Sequence, residues 1–124
     1  MKISRIMTIT VLVADQERAR SFYVDSLGFD VRTDVRMGEN RWLEVVPPAA
    51  ETSIVLHEPF PGTTAGSSQG VILESADIDA DVSALRANGV RVEGPHDMPW
   101  GRQATFADPD GNGFVLSATS VRSG

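Results

Sequence analysis

The sequence predicts an α+β fold, built as two tandem βαβββ modules whose mixed sheets are cupped. Three observations carry this prediction. An Asp-capped helical stretch occurs twice, with Asp15 and Asp77 standing 62 residues apart. Around each helix the same order of strands and turns recurs, so that Pro48 and Pro109, and Arg41 and Arg102, are each 61 residues apart. Between the halves lies Glu58–Gln69, EPFPGTTAGSSQ, whose Gly, Ser, Thr and Pro content marks a connector. A period near 60 indicates a duplicated supersecondary unit, not a solenoid repeat. Within a single domain of residues 1–124, the expected modules are 5–57 and 70–119, joined by 58–69.

The first strand, Met7–Val13, alternates Met7, Ile9, Val11 and Val13 against Thr8, Thr10 and Leu12. Side chains alternate across a strand, so the odd set suits a helix-covered core and the even set the other face. Lys2 and Arg5 precede this stretch, but a secretory h-region would be more uniformly apolar, and a cytoplasmic protein is expected. Asp15 then caps a helix in VADQERARSFYVDSLGF. Glu17 complements its dipole, Ala19, Phe22, Tyr23 and Leu27 recur at helical spacing, and Gly28 closes it. A short strand Val31–Val35 follows, then Trp42–Val46, a Pro47-Pro48 turn and the strand Ile54–His57.

The second half repeats this plan. A strand Val71–Ser75 leads to the helix of SADIDADVSALRANGV, capped by Asp77, with Ile78, Val82 and Leu85 as its apolar stripe and Gly89 at its end. Short strands Val90–Glu93 and Gln103–Ala107 come next, then the turn of FADPDGNGFVL and a last strand Phe114–Ala118. EGPHDMPWG, which contains His96, reads as a loop broken by Gly and Pro.

One helix covers only one face of a four-stranded sheet, so the other face meets a second sheet or encloses something. Parity and the 62-residue offset place Thr8, Thr10 and Leu12, and Gly70, Ile72 and Glu74, on that face, with Val115 and Ser117 from the last strand. Its mixed composition suits a ligand cavity.

Composition narrows the function classes. The chain has 124 residues, no cysteine and a formal charge of −6. Cysteine-based metal sites, thiolate nucleophiles and disulfides are therefore excluded. Net acidity argues against a nucleic-acid partner, which needs clustered Lys and Arg, and mildly favours a neutral or cationic ligand. No apolar run approaches the roughly 20 residues that span a bilayer, so no membrane partner is expected.

The tandem βαβββ plan, VADQERARSFYVDSLGF and the ending WGRQATFADPDGNGFVL together resemble the glyoxalase/bleomycin-resistance family of the vicinal oxygen chelate superfamily, over about residues 5 to 119. The resemblance implies a glyoxalase/bleomycin-resistance/dihydroxybiphenyl dioxygenase-like fold and commonly a homodimer with ligands in clefts formed by both chains. In metal-using members, His, Glu or Gln ligands stand on the first and last strands of each module. Carried over, these positions fall on Thr8, Gly70, Val115 and Leu56, or on His57 with a register slip of one. A divalent catalytic site needs at least three donors, and Thr, Gly and Val do not supply them. No metal and no cofactor are expected.

The expected function is therefore metal-independent small-molecule binding, similar to that of bleomycin-resistance-type sequestering dimers. The alternative is a glyoxalase-like lyase or isomerase, or a dioxygenase, with non-standard or no metal ligands. The candidate ligand-binding residues are Thr8, Thr10, Trp42, Leu56, Glu74, Trp100, Arg102 and Val115. The resemblance to metal-free, drug-binding relatives implies that the tryptophans stack planar groups, and Arg102, like Arg41, would bind a carboxylate or form a structural ion pair. Glu74 and His57 are the candidate acid–base groups. A buried Glu74 would have a raised pKa, and His57 equally suits a solvent-facing or interface position.

Overall fold

A computed structural model describes residues 1–119. In chain order the elements are β1 (Thr8–Leu12), α1 (Gln16–Ser21, continued by a π-helical turn Phe22–Ser26), β2 (Asp30–Met37), β3 (Asn40–Val46), β4 (Ser53–His57), β5 (Val71–Ser75), α2 (Ile78–Ala87), β6 (Glu93–Met98), β7 (Gly101–Ala107) and β8 (Gly113–Ala118). The strands form two four-stranded sheets, ordered β1-β4-β3-β2 and β5-β8-β7-β6. In each sheet the first and last strands of the module are parallel and the remaining pairs antiparallel. The predicted tandem βαβββ architecture is thus observed.

Both helices begin as the capping residues dictate. The Asp15 carboxylate accepts from the backbone N–H of Glu17 and Arg18, and that of Asp77 from Ala80. Gly28 and Gly89 take the left-handed conformation that ends each helix, with φ of +76° and +84°. The stripe Ile78, Val82 and Leu85 is buried, and so are Ala19 and Tyr23 of the first helix. The buried residues of both modules form one continuous cluster in which Val11, Leu43, Val45, Ile54 and Leu56 join Val82, Phe106, Phe114 and Leu116.

Three strand expectations are corrected. Met7 is 65% exposed, because β1 begins only at Thr8 and the odd-numbered face is covered further along, at Val11 and Val13. Val90 and Val92 are buried, but the strand after α2 starts at Glu93 and runs to Met98, so His96 lies on a strand, not in a loop. Pro95 is tolerated because β6 is the sheet edge, and the register shifts between Glu93 and His96. Finally, β1 pairs Val11 with Leu56 and Leu12 with His57, so Leu56 lies in the core, fully buried, and His57 shares the face of Leu12. The family position carried over to Leu56 is thus one residue out of register, on the core face and not on the uncovered one.

The two repeat-related arginines are structural. Arg41 is 6% exposed, holds Asp34 through a bidentate pair at 2.8 Å and reaches Glu17 at 2.7 Å. Arg102 makes the repeat-equivalent contacts, to Asp97 at 2.8 Å and Asp79 at 2.9 Å. The expectation that Arg102 faces a ligand is therefore corrected: its guanidinium is turned toward α2, where Asp79 lies, and is occupied by two carboxylates. The same Arg41 hydrogen bonds hold the Asp34 carboxyl below its ordinary range. Arg41→Met is expected to cost about 2 kcal/mol, less than for a wholly buried pair because both acids are partly exposed. Since the folded Asp34 pKa is depressed, this stability is present above the unfolded carboxylate pKa, about 3.9, and is lost as pH falls through the folded value. In urea titrations of wild type and variant, the difference present at pH 7 should narrow as the pH is taken down through the depressed Asp34 value.

Candidate functional site

Ladder register defines the uncovered face of the first sheet. Thr8 pairs with Ser53, Thr10 with Val55 and Leu12 with His57, while Glu44 lies between Val55 and Thr33. Trp42 pairs with Val35 on the same face. A bulge between Val31 and Thr33 switches β2 from core-facing Val31 to open-facing Thr33, Val35 and Met37. Near the middle of this face Glu44 is fixed from two sides. The Trp42 indole N–H donates to its Oε1 at 2.7 Å, and the Ser53 hydroxyl donates to its Oε2 at 2.7 Å. These two bonds hold the Glu44 pKa below its ordinary value, with Arg32 adding a smaller pull and partial burial opposing it. The face therefore presents an oriented, ionised carboxylate beside an indole that is 45% exposed.

The second sheet's open face is built from Ile72 and Glu74 on β5, Val115 and Ser117 on β8, and Gln103 and Thr105 on β7, with His96 paired to Gln103. Glu74 is exposed, so the burial that an acid–base role would draw on is missing. Trp100, 66% exposed, stands in the turn between β6 and β7. Trp42 and Trp100 therefore belong to different sheets. His57 stacks on Phe60 with ring centroids 4.5 Å apart, and its Nδ1 lies 2.6 Å from the Glu58 carbonyl oxygen. A carbonyl only accepts, so Nδ1 carries the proton and Nε2 is the free nitrogen.

The family's metal ligands can now be tested against these positions. Val55 pairs with Thr10 as Val115 pairs with Ile72, which makes Val55, not Leu56, the counterpart of Val115. The four positions then carry Thr8, Val55, Gly70 and Val115, with no imidazole or carboxylate among them. Among the described residues no three His, Asp or Glu side chains are grouped to hold an ion. Glu44 has no second acid or imidazole across its strands, only Thr33 and Val55. The donor set does not fit a divalent metal.

Two sets of residues were not singled out from the sequence. Glu44 and Ser53 were missed, although Trp42 and Glu44 at i and i+2 must share a face. The other set ties the modules together. Asp108 and Asn112 of the DPDGN turn are 5% and 0% exposed. The Tyr23 hydroxyl donates to Asp108 Oδ2 at 2.7 Å, and Asn112 Nδ2 donates to the same oxygen and to the Leu12 carbonyl of β1. Burial, and then the Asp108 charge, push the Tyr23 phenol pKa strongly up, so it remains a donor. The connector is locked into the same place: Gly66 donates to Leu12 O at 3.1 Å, and a Cβ there would overlap the Asp110 carbonyl oxygen. The turn thus joins the second module to the first.

With this geometry in place, a family model described as Glyoxalase/Bleomycin resistance protein/Dioxygenase superfamily matches residues 4–116. The chain belongs to this superfamily. Among solved superfamily structures, TnmS3, an antibiotic binding protein from Streptomyces sp. CB03234, is 47% identical with a TM-score of 0.92, over 97% of this chain and 99% of that one. A glyoxalase/bleomycin resistance protein/dioxygenase superfamily member from Sphaerobacter thermophilus DSM 20745 is 38% identical, with a TM-score of 0.88 over 96% of this chain and 100% of its own. In sequence, the Bacillus subtilis (strain 168) protein YetH is 39% identical over 119 residues, covering 92% of this chain and 98% of YetH. No helix among the described residues is long and apolar enough to cross a membrane.

Proposed function

We propose that the protein is a metal-independent, small-molecule-binding member of the superfamily that captures a planar, cationic compound stoichiometrically, as a homodimer. The observation that carries this reading is the Trp42–Glu44–Ser53 arrangement on an open sheet face. A fixed anion beside an exposed indole matches a ligand that is aromatic and positively charged, through stacking and a charge-assisted hydrogen bond. The absence of donors at Thr8, Val55, Gly70 and Val115 supports binding over metal-assisted turnover. The similarity to TnmS3, described as antibiotic binding, supports an antibiotic as the class of compound.

The homodimer rests on what the open faces expose. Val35 (49%), Met37 (73%) and Trp42 (45%) stand uncovered on the first sheet, and Ile72 (63%) and Met98 (38%) on the second. Apolar groups grouped on a sheet face mark an interaction surface. A second copy that lays one open face over the other would turn two flat faces into an enclosed cleft, with Thr8, Thr10 and Glu44 on one wall and Glu74 and Val115 on the other.

Isothermal titration of the purified protein with planar cationic antibiotics, planar neutral ones and anionic ones tests the reading. Saturable binding of a cationic member, at one site per chain or per dimer, is the expected outcome. A sedimentation mass of about one chain across micromolar concentrations, or a divalent metal retained stoichiometrically after dialysis, would overturn it.

A further inference from the structure

The repeat implies two junctions between the modules, and they are filled differently. At the first, the DPDGN turn of the second module packs on the start of the first. There the Tyr23 ring lies against Phe22, Phe29 and Phe114 and its hydroxyl meets Asp108. At the second, the turn after β3 meets β5 and α2. The repeat offsets of 62 and 61 carry Tyr23 onto Leu85 and Asp108 onto Pro47. Leucine is smaller than tyrosine, and proline brings no carboxylate. Where the first junction holds a ring and an acid, the second holds a cavity of about 250 Å³.

The walls of this cavity say what would complete it. Leu85, Phe106 and Leu116 of the core cluster, with Leu73 packed against it, give it apolar sides, and Phe29 of the first module bounds it from across the seam. Asp81 brings a carboxylate to it, Glu74 borders it from β5 with its side chain on the open face, and among the described residues no Lys, Arg or His lines it. One Asp81 oxygen accepts from the Ser75 hydroxyl, and the other accepts no hydrogen bond from the described residues. The cavity opens to solvent beside the exposed Asp81 and Ala84, and since roughly 150 Å³ suffices for benzene, this cleft has room for a single ring with a short side arm. The chemistry it lacks is the chemistry Tyr23 and Asp108 supply at the other junction, with the sign of the hydrogen bond kept: an apolar ring carrying a donor toward a carboxylate. We infer that the seam between the modules is a second small-molecule site, separate from the open sheet faces, that takes a monocyclic aromatic amine.

Tyramine is the probe, with p-cresol as its neutral and 4-hydroxyphenylacetate as its anionic counterpart. Titrations are followed by methyl NMR and by the unfolding midpoint, in a Glu44→Gln background so that the open face does not compete. Tyramine is expected to shift the Leu73 and Leu85 methyls saturably and to raise the midpoint, binding at least tenfold more tightly than 4-hydroxyphenylacetate. Asp81→Asn should weaken tyramine and leave p-cresol unchanged. Ala84→Phe, which sends a ring into the void from α2, should abolish the shifts. Leu85→Phe provides the same test should the first variant fold poorly. Methyls that do not move with tyramine, shifts that persist in the filled variants, or equal binding of the anionic probe would overturn the inference. None of these results bears on capture at the open faces.

Discussion

Asn112→Ala is expected to lower the thermal unfolding midpoint by roughly 10 °C, corresponding to about 3 kcal/mol for a chain of this size. Asn112 is completely buried, and its amide serves three partners on three segments. Nδ2 donates to Leu12 O at 2.9 Å and Asp108 Oδ2 at 2.8 Å, and Oδ1 accepts from Ser68 N–H at 3.0 Å. Alanine removes all three. Leu12 O keeps its bond from Gly66, and Asp108 keeps those from Tyr23 and two backbone N–H groups, but Ser68 N–H loses its acceptor. A neutral hydrogen bond is worth about 1 kcal/mol net and one to a charge about 1.5–3 kcal/mol, which gives the figure. Tyr23→Phe removes a single charge-assisted bond and should cost about 2 kcal/mol on the same scale. The order of the two variants, read by circular dichroism melts, checks the assignment. A midpoint shift below about 4 °C for Asn112→Ala would mean that the turn does not couple the modules.

Glu44→Gln is expected to weaken a planar cationic ligand by roughly 10- to 100-fold, the range of a lost charge-assisted hydrogen bond. Gln still accepts from the Trp42 indole and its amide still pairs with the Ser53 hydroxyl, so the melting midpoint should change little. A neutral planar analogue should bind variant and wild type alike, which separates loss of charge from loss of shape. The pH dependence has a definite sign. Because Trp42 and Ser53 depress the folded Glu44 pKa, the carboxylate stays charged at and above the ordinary Glu value, about 4.3. Affinity for the cation should therefore be flat through neutral pH and fall only as the pH drops through the depressed value. Titration calorimetry at pH 7, 5 and 3.5 measures this. Equal affinity of Glu44→Gln and wild type for the cationic compound would remove Glu44 from the site.

Much of this molecule was legible from local pattern. Asp15 and Asp77 cap because a short carboxylate before a helical stripe can bond the free N–H groups of the first turn. Gly28 and Gly89 end the helices because the left-handed conformation there disfavours a Cβ. The near-60 spacing gave the duplication, and the ion pairs Arg41–Glu17 and Arg102–Asp79 repeat it at the level of side chains. What was misread turned on register. A strand alternates with period two, so an error of one residue inverts every assignment on it. Carrying the family's ligand position onto Leu56, one residue off, put a core residue among the candidates and passed over Val55. Pro95 and Gly94 marked a loop, whereas an edge strand accommodates both, and His96 went with it.

The sequence by itself determined the duplicated plan and most of the elements, because caps, breakers and periodicity all act within a few positions of the chain. The tertiary structure decided how distant segments are used. Glu44 became an oriented anion only when β3 was laid beside β4, which brought Ser53 to its second oxygen. The DPDGN turn, which the sequence marked as a reversal of the chain, became the tie between the modules once Tyr23, 85 residues before Asp108, reached its carboxylate. Contacts at such separations depend on which surfaces fold against each other, and no local pattern contains that information.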